Sequence, residues 1–197
     1  MAPCSQRMVA AAALEPAEVR RWLAGLAATG FYAAYVVQVV RAGKTENALW
    51  ACQLGCLLVG AGWLGRSPVW NAVGVLWLLP GLIFWLIYLI GGGAFKWTSC
   101  LTHVGGNSLG LWGAATLGLP EGAWWKAGLG FAVLLAVSSR ISRPSENVNF
   151  SRQVWPGWEQ RFPSYHRYVA GLLMGAPVLF LALELLLRQL LSAATGP

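Results

Sequence analysis

The stretch Val69-Trp-Asn-Ala-Val-Gly-Val-Leu-Trp-Leu-Leu-Pro80-Gly-Leu-Ile-Phe-Trp-Leu-Ile-Tyr-Leu-Ile90-Gly91 carries no charged side chain. Wound as an α-helix at about 1.5 Å per residue it spans a hydrocarbon core of roughly 30 Å. Pro80 removes one backbone donor in mid-stretch and is expected to kink the helix, which a membrane tolerates when neighbours satisfy the freed carbonyl.

Working outward, similar apolar blocks lie at about 22–40, 47–64, 97–118, 122–139 and 168–191. The expected fold is therefore all-α, a polytopic transmembrane bundle of about six spans forming one domain over 22–193 behind a polar, amphipathic tail over 1–21. Composition agrees: 57% of the 197 residues are hydrophobic and 11% charged, against roughly 25% charged in soluble domains. Many of the 12 Trp stand at block ends, as Trp22, Trp50, Trp63, Trp70, Trp97, Trp124 and Trp125 do, where an indole keeps its ring apolar and its N–H wet. In the tail, Glu15, Pro16 and Glu18 separate the weakly apolar Val9 to Leu14 run from the first block, a poor fit to a cleaved signal peptide, so the tail is expected to be retained.

The net charge of +7 is spread over tails and short connections without a basic stripe, which argues against nucleic acid and for anionic lipid headgroups. Membrane lipids are the expected partners, with a second membrane protein or another copy of the chain beside them. Eight Lys and Arg fall on the side of the long 140–167 loop and six on the tail side, so the loop leans cytoplasmic. That loop holds Phe150, Trp155, Trp158 and Phe162 with five arginines. Its rings predict an ordered, interfacial segment folded on the bundle, since each that is buried contributes roughly 1.5 to 3 kcal/mol. No internal repeat supports an inverted-repeat transporter.

Polar residues concentrate in the fourth block, Trp97-Thr-Ser-Cys-Leu-Thr-His103-Val-Gly-Gly-Asn107-Ser108. Polar groups at membrane depth are costly against lipid, so this helix is expected to be the most enclosed. Gly106, Gly110, Ala114 and Gly118 recur every fourth position, a packing stripe for a neighbouring helix. His103 and Asn107 lie on or near that face, as interhelical hydrogen-bond partners or as part of a ligand or proton site. Beyond the fifth block, Glu146, Asn147 and Asn149 are placed to orient a polar headgroup, with Arg143 and Arg152 near enough to hold Glu146 ionised; a capped turn is the alternative. Cys52, Cys56, Cys100 and His103 lack a recognised zinc spacing and are expected to bind no metal; no cofactor is expected. Glu184, with Arg188 one turn on, is a structural pair or a carrier's intramembrane carboxylate.

Thr102-His103, the Gly118-Leu-Pro turn, Glu146-Asn-Val-Asn-Phe150 and a last helix opened by tyrosine resemble a family of small polytopic bacterial inner-membrane proteins, over Thr102 to about Leu190. The resemblance implies a bacterial inner-membrane location and the testing of His103, Glu146, Asn147 and Asn149; it brings no activity with it. His-Glu-x-x-His, Gly-x-Ser-x-Gly and phosphate-loop signatures are missing, and the chain contains no Asp, which excludes several enzyme classes. Three readings follow. The first is a non-catalytic binding or assembly subunit with a lipid-like ligand between the fourth helix and the loop. The second is a small proton-coupled carrier using His103 and Glu184; the third is a lipid-modifying enzyme using His103 and Glu146.

Overall fold

The computed structural model describes residues 15–194. Every regular element among them is helical: α1 (Pro16–Arg41), a 3-10 turn (Thr45–Leu49), α2 (Ala51–Leu64), α3 (Pro68–Ile90), α4 (Trp97–Cys100), a π turn (Leu101–Gly105), α5 (Gly106–Leu117), α6 (Ala123–Ile141), a 3-10 turn (Val148–Phe150) and α7 (Tyr165–Ala194). Three of these, α1, α3 and α7, are long and apolar enough to cross a membrane. Their outer faces leave large apolar side chains uncovered, among them Leu23, Ile87, Met174 and Val178. Such continuous apolar exposure suits lipid and not water, the character of an integral membrane protein.

The first span starts earlier than its hydropathy implies, at Pro16. Glu18 belongs to the helix because it pairs with Arg21 at 2.8 Å and with Arg66, while Arg21 Nη1 donates to the Trp63 carbonyl at 3.1 Å. Charges that read as tail are thus neutralised across the end of the bundle. The rest of the expected tail, residues 1–14, lies outside the described residues. Pro80 sits inside α3, which continues to Ile90.

α2 is the hub that packs against both α1 and α3, and α3 in turn meets α5 and α6. Close approach follows from its glycines: a Cβ at Gly55 would lie 2.8 Å from the Gly74 carbonyl oxygen, and one at Gly62 would lie 2.7 Å from the Asn71 nitrogen. Half of α2 is buried, as is the unbroken run Asn71 to Leu78 of α3. The α4–α5 rod is therefore not the most enclosed helix. Its polar side chains need less shelter than hydropathy suggests, because Ser108 faces outward and donates to the Val104 carbonyl at 2.9 Å, and Thr102 donates to that of Thr98 at 2.9 Å. Hydroxyls bonded to the carbonyl one turn back are already satisfied.

The small-residue face of α5 meets α2 and α3. A Cβ at Gly106 would stand 2.9 Å from Cys56 Sγ, and one at Gly110 would stand 2.6 Å from Val75 Cγ2; Ala114 is buried. Gly118 is a correction to that stripe. It ends the helix at φ +89 with open space around it, a backbone conformation costly for any other residue, and Gly113, against Asn71, completes the packing face instead.

The 140–167 segment folds back on the bundle. Phe150 packs on Trp50, Phe84 and Trp155 with ring centroids 5.4, 5.6 and 4.4 Å apart, and Phe162 meets Tyr168 at 5.3 Å.

Candidate functional site

Under this segment lies a cavity of about 660 Å³ between α3 and α7. It exists because α7 leans on α6 and scarcely touches α3, leaving a cleft that Phe150, Trp155 and Trp158 of the loop also line. Its walls are mostly apolar: Trp77, Phe84 and Trp85 from α3, Phe131 from α6, and Leu172, Leu179 and Phe180 from α7. Polar groups gather toward the connections, where Lys44, Asn47, Gln53, Lys96, Ser99, His103 and Glu146 line it.

His103 sits in the π turn, a local widening of the helix frequent at functional sites. Its Nδ1 lies 2.8 Å from the Ser99 carbonyl oxygen. A carbonyl only accepts, so Nδ1 carries a proton, and in the neutral ring Nε2 is then the acceptor. The ring stacks on Trp85 at 5.2 Å and 3°, which fixes its plane at the cavity wall.

Glu146 reaches the same cavity, but its hydrogen-bond partners are not the expected arginines, of which only Arg143 contributes, through its charge. Lys44 Nζ donates to Oε1 at 2.7 Å and Asn47 Nδ2 to Oε2 at 2.8 Å. The Lys44 hydrogen bond, aided by Asn47 and by the Lys44 and Arg143 charges, holds the carboxyl below the usual carboxylate range against the opposing effect of burial. Arg143 instead pairs with Glu46 and donates to the Gly43 carbonyl at 2.8 Å; the hydrogen bond to Arg143 likewise lowers the Glu46 pKa. Arg152 points away to the Ser139 carbonyl. Two crossed ion pairs thus clamp the loop to the α1–α2 connection.

Both loop asparagines have structural work. Asn147 Oδ1 accepts from the backbone N–H groups of Arg152 and Gln153 at 2.9 and 3.1 Å, and its Nδ2 donates to the Gln153 carbonyl at 3.0 Å. It does not line the cavity. Asn149 does line it, yet its amide is fully committed. Oδ1 accepts from Ala51 N–H at 2.8 Å, capping α2 from a distance, while Nδ2 donates to the Leu49 carbonyl at 2.7 Å and to Ser138 Oγ at 2.9 Å. Both residues have positive φ, which asparagine tolerates best after glycine.

Asn107 also turns from the cavity: Nδ2 donates to the carbonyls of His103 and, at 3.3 Å, Leu78, joining α5 to α3. Glu184 is remote from it too. Its carboxylate accepts from the backbone N–H groups of Gly122 and Trp124 at 3.1 and 2.8 Å and pairs with Arg188 at 3.0 Å, so it caps α6 where the helix dipole favours negative charge. Of the cysteines, Cys52 lines the cavity, whereas buried Cys56 contacts the Ala28 carbonyl. Among the described residues no three His, Cys, Asp or Glu side chains converge as a metal site would need.

The structure therefore gathers His103, Glu146 and Asn149 and leaves Asn107, Asn147, Arg143 and Arg152 outside. It adds Lys44, Asn47, Gln53, Trp85 and Lys96, for which the one visible signal was Gln53, an amide inside an otherwise apolar helix. No family model, no curated protein and no solved structure matches the chain.

Proposed function

We propose that this protein crosses the membrane six times and binds an amphipathic, lipid-like molecule in the cavity between α3 and α7, acting as a non-catalytic binding or assembly subunit. The observation that carries the reading is the cavity itself, about 660 Å³ with aromatic and aliphatic walls and polar groups at one end. An acyl or prenyl chain suits such walls, and a headgroup suits the end near Lys44, Lys96 and Glu146.

Six spans are supported by helix lengths beyond the three longest. From Trp97 to Leu117 the backbone stays helical through the π turn, a rod of about 30 Å, and α6 reaches about 28 Å. The short α2 is shielded by its neighbours and extended by the 3-10 turn before it.

The carrier reading is less favoured because Glu184 is occupied as a helix cap away from the cavity. For an enzyme using Glu146 as acid, the carboxyl would have to be protonated, and the Lys44 and Asn47 hydrogen bonds oppose that. The resemblance of the Thr102 to Leu190 stretch suggests a bacterial inner membrane and lends the site no chemistry.

Native mass spectrometry of the full chain released from mild detergent tests the proposal. A bound lipid-like molecule at about one per chain is expected; a chain that flies bare from lipid-rich extracts at low activation energy would count against it.

A further inference from the structure

Gln53 is 2% exposed and lines the cavity, and its Oε1 has no hydrogen-bond partner. Asn47, also at the wall, gives its Nδ2 to Glu146 and leaves Oδ1 buried without a partner. Amide oxygens only accept, so what these positions lack is a donor, a hydroxyl or an ammonium, and not a bare anion. An unmatched buried acceptor is costly and is normally satisfied. The charge on the same wall is equally specific: Lys44 is neutralised by Glu146, whereas Lys96 has no ion-pair partner among the described residues.

We propose that the ligand's head combines an anionic phosphate with at least one hydrogen-bond donor, the donor serving Gln53 and Asn47 and the phosphate facing Lys96. This rests on the cavity being a lipid-like ligand site. Phosphoglycerol heads meet both requirements with hydroxyls and phosphoethanolamine heads with an ammonium. Phosphocholine supplies the anion and no donor.

The test compares retention of phosphatidylglycerol, phosphatidylethanolamine and phosphatidylcholine of identical acyl chains by the delipidated full chain, read by native mass spectrometry. Wild type should retain phosphatidylglycerol over phosphatidylcholine by roughly three- to tenfold, the worth of one or two net hydrogen bonds, with phosphatidylethanolamine above phosphatidylcholine. Gln53→Met, close in volume, should bring that ratio toward one without lowering the lipid-free melting temperature, since it deletes an unmatched acceptor. Lys96→Gln should weaken all three lipids and leave the ratio standing. Asn47→Ala provides a second variant should Gln53→Met fail to fold. Equal retention of the three heads by wild type, or a ratio unchanged by both amide variants, overturns the inference while leaving the cavity reading intact. Failure of wild type to retain any of the three overturns the cavity reading itself.

Discussion

Replacing Asn149 by alanine should destabilise the protein more than any other single change in the loop. The side chain makes three hydrogen bonds, from Ala51 N–H and to Leu49 O and Ser138 Oγ, all within 2.9 Å. At about 0.5 to 1.5 kcal/mol each their loss amounts to roughly 1.5 to 4.5 kcal/mol. The backbone adds to this, because φ is +54 and alanine there costs about 1 kcal/mol more than glycine. The expected total of about 3 to 5 kcal/mol corresponds to a fall in melting temperature of roughly 6 to 20 °C for a chain of this size. Asn149→Gly separates the two contributions: it loses the same hydrogen bonds, keeps the backbone unstrained and should melt above Asn149→Ala. Thermal melting in one detergent, followed by intrinsic Trp fluorescence, is the assay. An Asn149→Ala variant melting within about 2 °C of wild type, or an Asn149→Gly variant melting below it, would refute the reasoning.

Two further substitutions and one digestion probe other parts of the account. Gly110→Leu should lower yield and melting temperature by overpacking worth about 1 to 3 kcal/mol or more, since even a Cβ there lies 2.6 Å from Val75 Cγ2; normal yield and melting would contradict the α3–α5 contact. Glu146 titrates below its ordinary value when folded, so the Lys44 clamp contributes fully above about pH 4.5 and is lost as pH falls through the lower folded value. Glu146→Gln should flatten that acid limb of the melting-temperature profile, and an unchanged limb would show that the clamp contributes nothing. Trypsin in nanodiscs should cut after exposed Arg161 before it cuts after Arg152, whose guanidinium is held by the Ser139 carbonyl; the reverse order would contradict the docked loop.

The helical, membrane-embedded character was legible because an uncharged run such as Val69 to Gly91 admits few other readings. The ordered loop was legible too, since Phe150 and Trp155 could not be left in water cheaply. Helix starts were harder: Pro16 to Arg21 looked like tail because Arg66 and the Trp63 carbonyl, which join the Glu18–Arg21 pair, are far along the chain. Depth of burial was misjudged for α5 because hydropathy counts a hydroxyl as exposed polarity, while Ser108 satisfies itself on its own helix. At the site, His103 and Glu146 stood out as rare titratable groups in an apolar chain. Their partners did not, because Lys44 lies in an ordinary-looking short connection and Asn149 owes its role to a left-handed backbone that side-chain identity only hints at. The cavity depends on α7 diverging from α3, a relation between distant segments that no local pattern encodes.

Occupancy of that cavity is the central claim, and Gly175 gives direct access to it. The residue lines the cavity, and a Cβ built there meets nothing within 4 Å, so Gly175→Trp introduces a bulky ring at the cavity wall from a position where its first atom has open space. Wild type and variant, purified side by side from the same cells, would be weighed intact by native mass spectrometry. Wild type should carry about one lipid-like molecule per chain, and Gly175→Trp should carry none while its delipidated form melts as wild type does. The same molecule retained by both at equal stoichiometry, or by neither, would contradict the account.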